Sequence, residues 1–362
     1  MIRDCTPVLL ANGRVIPIAQ IVAGDRLMGP DGKARTVLST TRGRAQLYRI
    51  EPVKGEAWVC HDRHVLTLVN SVTNQIVDIP LDRWHRASKT FKSLHKQFSA
   101  GVGAFEEAPN AKARTIDPYF LGVWFGDGTK HLKSMTTGDQ LSKVAISKPD
   151  RVIRKLCLEE ARKWGLHMSV FDEHRCPVYS LAASKAPKGR GRWLPNKLLL
   201  ALRKLLGREL KIPDAYLLAP RNVRLQFLAG FLDADAELID NCFSVTQKRE
   251  DWARALWWVS RSLGFCATIR SRKARYTRVD GSRFEGTYWV VTISGNLDQI
   301  PTRIPRKQAG PRRQKKVATR SGFAPIPLGK AIYYSYTLDG DGRFLLCDFT
   351  VTASLIPEAI HP

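Results

Sequence analysis

The stretch that decides the fold is FLAGFLDADA, residues 227–236, in which apolar and small residues lead into Asp235. A related stretch, FLGVWFGDG at 120–128, leads in the same way into Asp127, 108 positions earlier. Each stretch has two small residues spaced four apart: Gly122 and Gly126 in the first, Gly230 and Ala234 in the second. Residues four apart share one face of a helix, so each stretch predicts an apolar helix with a small-residue stripe and a carboxylate at its end.

The segments that follow the two stretches are also alike. KVAISK (143–148) and CFSVTQK (242–248) have the pattern of strands, whereas residues 150–164 and 250–263 have the apolar spacing of amphipathic helices. The chain therefore contains an internal repeat, with about one small half-domain in each copy.

The repeat predicts a site for hard cations. If the two helices pack through their small-residue stripes, Asp127 and Asp235 meet at neighbouring helix C-termini. Each carboxylate then faces the negative end of a helix dipole and repels the other. Because no His or Cys accompanies them, oxygen ligands favour one to three Mg²⁺ ions, and such a pair indicates phosphodiester hydrolysis. The alternative is two buried helices with structural Asp residues at their ends.

Composition points to a polyanionic partner. The 362 residues carry a net charge of +25 and are 44% hydrophobic, which excludes wholesale disorder and predicts two domains or more. Nucleic acid is the first expectation, and an anionic membrane is the second. No apolar run approaches the ~20 residues of a spanning helix. The seven cysteines include no CxxC pair, which favours a soluble protein of a reducing intracellular compartment such as cytoplasm, nucleoid or nucleus, with no membrane partner.

The second stretch, FLAGFLDAD, resembles the LAGLIDADG motif at nearly every position, and FLGVWFGDG resembles the degenerate first copy of two-motif members. The resemblance covers residues 115–320. It implies a monomeric LAGLIDADG homing endonuclease with a pseudo-twofold αββαββα fold, which cuts both strands of a long double-stranded DNA site. One departure is Ala236, where the motif has Gly.

Carried over position by position, this resemblance implies catalytic roles. Asp127 and Asp235 match the metal-binding acids, with the adjacent Gly126 and Ala234 at the same metal site. Gln247 matches the family's water-organising polar residue after the second strand.

Three basic residues complete the implied site. Lys148 is the counterpart of Gln247 in the first copy. The basic residues near the scissile phosphate match Lys211 in LKIP and Arg303 in TRIP, although a solvated face or a phosphate anchor is an equal alternative for both.

Basic segments predict a DNA track beside this axis. They lie at 185–192, 270–278 and 303–320, and none of them contains an acid. The candidate DNA-binding residues are Lys188, Arg190, Arg192, Arg270, Arg272, Lys273, Arg275, Arg278, Arg306, Lys307, Arg312 and Arg313.

The flanking sequence has a different texture. Residues 5–70 form short strand patterns separated by turns, and strand patterns return near 321. The segments CTPVLLANGR, VCHDRHVLTL and YYSYTLDGDGRFLLCDFTVT resemble, in order and spacing, the Hint fold of inteins that carry an inserted endonuclease. The predicted fold is an α+β endonuclease domain of two LAGLIDADG repeats inserted into an all-β Hint domain. Its parts are 1–114 and 321–354 for Hint, 115–320 for the endonuclease and 355–362 for a tail.

The Hint resemblance implies an autoprocessing pair. Cys5 matches the nucleophile of an N-to-S acyl shift, and His64 matches the histidine that assists it, with His61 in place of the usual Thr. A buried small side chain and a core histidine are the structural alternatives. Ala353 and Ser354 fall on the terminal His-Asn pair of inteins, or, with a shift of one residue, Ala353 falls on the Asn and Ser354 on the downstream nucleophile. In both alignments the cyclising amide is missing, and splicing is not expected.

The sequence therefore predicts a site-specific, Mg²⁺-dependent double-strand DNA endonuclease in a splicing-defective intein scaffold. One alternative is an autoprocessing intein, limited to N-terminal cleavage, that carries a catalytically dead DNA-binding module. The other is a DNA- or RNA-binding module built on a dead LAGLIDADG core.

Overall fold

The computed structural model describes residues 6–130, 143–172, 176–183, 195–277 and 283–354. Within these ranges, no helix has both the length and the apolar character needed to cross a membrane.

The N-terminal region is built mainly of strands. They are β1 (Pro7–Leu9), β2 (Val15–Pro17), β3 (Arg26–Met28), β4 (Ala34–Pro52), β5 (Trp58–His61), β6 (Val65–Asn70), β7 (Ile76–Pro80) and β8 (His95–Phe98). Two short helices, α1 (Leu81–Arg86) and α2 (Lys89–Leu94), precede β8. The patterns ARTVLST and LYRIEPV predict two separate strands, but both belong to the single 19-residue strand β4.

The first repeat begins with α3 (Pro118–Asp127), whose first turn is capped by Asp117 Oδ1, which accepts from Phe120 N at 2.9 Å. The elements that follow are β9 (Lys143–Ser147), α4 (Arg151–Lys163), β10 (His167–Phe171), β11 (Val178–Ala182), α5 (Lys197–Leu206) and α6 (Asp214–Leu217).

The second repeat shares the order helix, strand, helix and two strands, with the additional strand β12 directly after its first helix. It consists of α7 (Arg221–Asp235), β12 (Glu237–Ile239), β13 (Cys242–Gln247), α8 (Glu250–Ser262), β14 (Cys266–Thr277) and β15 (Arg283–Ser294), followed by 3₁₀ turns at Leu297–Gln299 and Pro305–Lys307. In the first repeat the sheet order is β10-β11-β9, and in the second it is β12-β13-β15-β14. Strands β9, β11 and β10 are therefore neighbours in the same order as β13, β15 and β14.

The last segment returns to the N-terminal region. Its strands are β16 (Arg320–Ser321), β17 (Phe323–Leu338), β18 (Arg343–Leu345) and β19 (Val351–Ala353). Strand β17 pairs along most of β4, β16 pairs with β8, and β19 pairs with β6. Both ends of the chain thus contribute strands to the same sheets, and the repeats lie between them in sequence.

Helices α3 and α7 pack side by side and point the same way. A Cβ added at Gly230 would lie 2.0 Å from Tyr119 O, and one at Gly126 would lie 2.2 Å from Ala234 Cβ. The start of α3 therefore contacts the middle of α7, and the C-termini of the two helices contact each other. Because α3 is buried on all sides, its position is fixed by packing.

A buried polar contact joins the repeats to the β region. Arg261 on α8 pairs with Asp348 at 2.9 Å, and their side chains are 3% and 2% exposed. Arg224 on α7 is also buried and donates to Gly103 O at 2.9 Å and to Ser262 Oγ at 2.5 Å. Burying charges requires such partners, so this interface depends on a few specific pairs.

Candidate active site

The ends of α3 and α7 form an open groove of about 630 Å³, which we call the helix-end groove. Its lining residues are Asp127, Lys148, Ala234, Asp235, Ala236, Glu237, Leu238, Ile239, Arg306 and Lys307. Asp127 and Asp235 are the last residues of their helices, and a Cβ at Gly126 would lie 3.4 Å from Asp235 Cβ. The small residue before each acid therefore lets the two carboxylates approach one groove.

Lys148 lies between the two helices. Its Nζ is 2.8 Å from Asp127 Oδ2 and also donates to Ala234 O. Asp127 Oδ2 is buried, and no described donor meets it with hydrogen-bond geometry, so its interaction with Lys148 is an ion pair. The ammonium thus contacts one oxygen from each helix.

Gln247, at the end of β13, holds the other acid. Its side-chain amide donates to Asp235 Oδ2. Burial raises the pKa of Asp235 to about 6, the Asp127 carboxylate adds to the rise, and the Gln247 hydrogen bond opposes it. The raised pKa shows that two carboxylates share a poorly solvated space.

Two further lysines neutralise the helix ends. Lys130 donates to Trp124 O of α3, and Lys307 donates to Leu232 O and Asp233 O of α7 at 3.1 and 2.7 Å. Burial lowers the pKa of Lys130 to about 7 and that of Lys307 to about 8, although Asp127 opposes both shifts. Lysine side chains of the chain itself therefore supply part of the positive charge at the helix ends, for which the sequence analysis had predicted metal ions alone.

The structure gives the surroundings of three basic residues that were predicted to meet DNA. Lys211 is exposed and pairs with Glu209 at 2.6 Å, away from the groove lining. The Arg303 guanidinium stacks 3.7 Å from the Tyr119 ring centre. Lys307, predicted as a DNA contact, is buried against the carbonyls of α7. The partners of Arg303 and Lys307 are distant in sequence and could not be read from the motif, whereas Lys211 pairs with its near neighbour Glu209.

The predicted DNA-binding residues are divided among several surfaces. Ala267 and Val291 mark the buried face of the second sheet, and Arg270 and Arg272 of β14 lie on the opposite face. Lys273 and Arg275 alternate onto the same face as Ala267. All four basic residues are exposed. Arg275 pairs with Glu285 at 3.2 Å.

The remaining predicted contacts lie apart from β14. Arg306 reaches the groove and pairs with Asp150, which lowers the pKa of that carboxyl. Arg312 donates to Gln314 and Lys316, and Arg313 is exposed. The predicted contacts Lys188, Arg190, Arg192 and Arg278 lie outside the described residues.

The donor set of the groove fits a hard divalent ion. Asp127 Oδ2 is a buried carboxylate oxygen whose partner is the Lys148 ammonium, and Ala234 O is a carbonyl that contacts the same ammonium. The described residues contain no cluster of three or more His, Cys, Asp or Glu side chains suited to a metal. Two carboxylates with carbonyls match Mg²⁺, which keeps several waters and takes substrate phosphates as ligands.

A second cluster, which we call the histidine cavity, lies in the β region. His61 and His64 line it, together with Thr6 and Thr352. A hydrogen bond of 2.7 Å joins His64 Nε2 to Thr352 Oγ1, and Thr6 Oγ1 donates to Val59 O at 3.1 Å. Burial lowers the pKa of His64 to about 3 and that of His61 to about 4, so both rings are neutral near pH 7.

The predicted autoprocessing residues lie around this cavity as far as the structure describes them. His64 is inside it, and Cys5 lies outside the described residues, directly before Thr6. Ala353 pairs with Val65 in the β19–β6 ladder, and Ser354 N donates to Gly342 O at 2.9 Å.

Sequence comparison connects both regions to known proteins. Residues 1–106 match the family model described as Hom_end-associated Hint. The homothallic switching endonuclease of Saccharomyces cerevisiae (strain ATCC 204508 / S288c) is 23% identical over 468 residues, which cover 96% of this chain and 78% of the yeast protein. The chain is similar to homing endonucleases joined to a Hint domain.

Two solved structures align with about half of the chain. I-DmoI in complex with DNA and Mn aligns with a TM-score of 0.33 at 14% identity, covering 50% of this chain and 90% of that one. The N-terminal LAGLIDADG domain of DUF199/WhiA aligns with a TM-score of 0.30 at 11% identity, covering 52% and 78%. The predicted fold class, an α+β block of two repeats within an all-β Hint domain, is confirmed.

Proposed function

We propose that this chain is a site-specific, metal-dependent endonuclease that cuts both strands of double-stranded DNA. The observation that carries the proposal is the convergence of Asp127 and Asp235 at the touching ends of two parallel helices. A pair of half-buried acids on helix ends is destabilising unless cations join it, whereas two helices that pack only for structure do not need acids at this place. The similarity to the yeast endonuclease along 96% of the chain supports the same activity.

Each groove residue has a role in this proposal. Asp127 and Asp235 hold one to three Mg²⁺ ions, with main-chain oxygens at Gly126 and Ala234 as further ligands. Such ions polarise a phosphodiester and lower the pKa of bound water. Gln247 fixes the Asp235 carboxylate through its amide. Lys148 contacts the Asp127 carboxylate and is the second polar side chain at the acid pair.

Basic groups above the groove meet the DNA backbone. Arg306 is 56% exposed beside the acids and is suited to a phosphate near the cut, in the role first assigned to Lys211 and Arg303. Arg270 and Arg272 extend the contact along the open sheet face. With a net charge of +25, DNA affinity is expected to fall steeply with salt.

The proposed organisation follows from the two repeats. Residues 115–320 form the endonuclease domain, and residues 1–114 and 321–354 form the Hint domain. Because one chain supplies both acids, a monomer is sufficient for cutting both strands.

The decisive experiment is a cleavage selection from a randomised duplex library in Mg²⁺, with the cut ends sequenced. The wild type should yield one long shared site, and Asp127→Asn or Asp235→Asn should lower cutting of that site by at least ~100-fold. Asp298→Asn, an exposed acid in a 3₁₀ turn, serves as the matched control and should cut normally. DNA binding without any cut by the wild type would instead support a binding module on a dead core.

The histidine cavity supports a second activity, limited cleavage of the amide before Cys5. In this step the Cys5 sulfur attacks the preceding carbonyl carbon, the C–N bond breaks, the Cys5 nitrogen takes up a proton, and a thioester forms. The neutral His64 at the cavity wall is available for the proton transfers. Splicing is not proposed, because Ala353 and Ser354 supply no cyclising amide.

This second activity is tested with a fusion partner placed before Cys5. Hydroxylamine should release the partner as its hydroxamate from the wild type and not from Cys5→Ala, and His64→Ala should slow the release. A partner that stays attached under all conditions would contradict N-terminal cleavage and leave the endonuclease proposal unaffected.

A further inference from the structure

The two halves of the helix-end groove are not chemically equal. Lys148 directly follows β9 and Gln247 ends β13, so the two residues take corresponding places in the two repeats. Lys148 places a positive charge at Asp127, whereas Gln247 offers Asp235 a neutral amide. We call Asp127, Lys148 and Ala234 O the first half-site, and Asp235 with Gln247 the second half-site.

We propose that the Lys148 ammonium is a built-in cation that holds the first half-site, so that a divalent ion binds preferentially at the second. This inference rests on the proposed metal-dependent function and specifies how the metal is distributed.

The contacts of Lys148 carry the first step. Its Nζ lies 2.8 Å from Asp127 Oδ2 and donates to Ala234 O, which come from different helices. A hard divalent ion in the first half-site requires these same two oxygens. The ammonium and the ion therefore exclude one another, and an ion that enters must displace a side chain that is only 15% exposed.

The neighbouring cations do not offer the same compensation to Asp235. Lys307 and Lys130 are directed at helix carbonyls, and Arg306 pairs with Asp150. The only polar side-chain contact to the Asp235 carboxylate among the described residues is the neutral amide of Gln247. Lys148 and Lys307 attract the Asp235 carboxylate from a distance, with no ion pair to it among the described residues. The less compensated negative charge therefore lies in the second half-site, where a divalent ion gains most from Coulomb attraction.

The test counts bound Mn²⁺ by the loss of the free-ion electron paramagnetic resonance signal, with purified full-length protein and no DNA. The wild type should bind one ion more tightly than any other, and Asp235→Asn should abolish this ion, whereas Asp127→Asn should leave it. Lys148→Gln makes the first half-site match the second. A second Mn²⁺ ion should then bind at the first half-site, with an affinity at least about tenfold higher than that half-site has in the wild type. That added ion should vanish in Lys148→Gln with Asp127→Asn.

Two controls make the outcome specific. Lys143→Gln removes an exposed lysine on the same strand and should bind Mn²⁺ like the wild type. Lys148→Arg retains the positive charge and should keep a single tight ion, and melting curves confirm that each variant is folded.

Different failures overturn different claims. If Lys148→Gln leaves both the number of ions and their affinity unchanged, or if Asp127→Asn weakens wild-type binding as much as Asp235→Asn does, the role of Lys148 is wrong while the metal site stands. If neither Asp variant alters Mn²⁺ binding, the proposed metal-dependent function fails as well.

Discussion

The helix-end groove and the histidine cavity respond to protons in opposite directions. In the groove, burial and a neighbouring carboxylate raise the pKa of Asp235 to about 6, so a proton bound there stabilises the folded chain. In the cavity, burial lowers the pKa of His64 to about 3, so a proton bound there destabilises it. The same physical cause, removal from water, therefore disfavours negative charge in one site and positive charge in the other.

This difference separates two kinds of chemistry. An open groove with excess negative charge on one acid attracts cations and phosphate-bound metal ions. A small cavity with neutral imidazoles is suited to proton transfer, because each ring can both accept and donate. The buried Arg261–Asp348 pair is one of the contacts that join the regions in which the two sites lie.

Breaking that pair should have the largest effect on stability. Arg261→Met leaves the Asp348 carboxylate buried with a lost partner, and breaking a buried pair lowers the free energy of unfolding by about 3–5 kcal/mol. Urea unfolding at pH 7 measures this, with Arg254→Met on the same helix as the control, since Arg254 pairs with Glu250 at the surface. Equal effects of the two substitutions would show that the pair does not join the regions.

The next effect comes from separating the helices that build the groove. The added methyl of Gly230→Ala would lie 2.0 Å from Tyr119 O, and such overpacking should lower the free energy of unfolding by roughly 3 kcal/mol. It should also weaken Mn²⁺ binding, because the carboxylates move apart. Gly310→Ala, whose Cβ would meet nothing within 4 Å, is the control and should be neutral in both measurements.

Sequence reasoning was strongest where short-range pattern determines structure. The four-residue spacing of small residues predicted the contact between α3 and α7, and the positions of Asp127 and Asp235 at the helix ends follow from it. The helices over 150–164 and 250–263 agree with α4 and α8 to within one or two residues. These features depend on periodicity, which a single sequence displays.

It was weakest where tertiary contacts choose the partner. Lys307 caps a helix more than 70 positions away, and the Arg303 guanidinium stacks on the ring of Tyr119 in the other repeat. Lys130 follows Asp127 by three residues, a position where a basic residue can reach the helix carbonyls, and this signal could have identified it. The continuous strand β4 was divided in two because the polar residues in its middle resemble a turn.

Removing the buried acid sharpens the comparison of pH responses. Because the folded pKa of Asp235 lies above the unfolded value, its ionisation destabilises the folded chain progressively from about pH 4 to pH 6 and fully above that range. Asp235→Asn should remove this penalty and raise the free energy of unfolding by about 2–3 kcal/mol at pH 8, with a much smaller gain at pH 4. The measurement is urea unfolding in chelator across this range, with Asp298→Asn as the control. Lower stability than wild type at pH 8 would contradict a poorly compensated carboxylate.

The opposite response should come from the histidine cavity. Because the folded pKa of His64 lies well below its unfolded value, the stability it contributes is present above about pH 6.5 and declines as the pH falls towards 3. Between pH 8 and pH 5 this loss is about 2 kcal/mol for one histidine. His64→Gln should flatten the acid limb of the stability profile by that amount, whatever its effect at pH 8. His167→Gln, at an exposed position of strand β10, is the control and should leave the profile unchanged. If the stability of His64→Gln falls with pH in parallel to the wild type, protons reach the cavity without unfolding the chain. Burial would then not set the response of the histidine cavity, and the two sites would differ only in the charge of their groups.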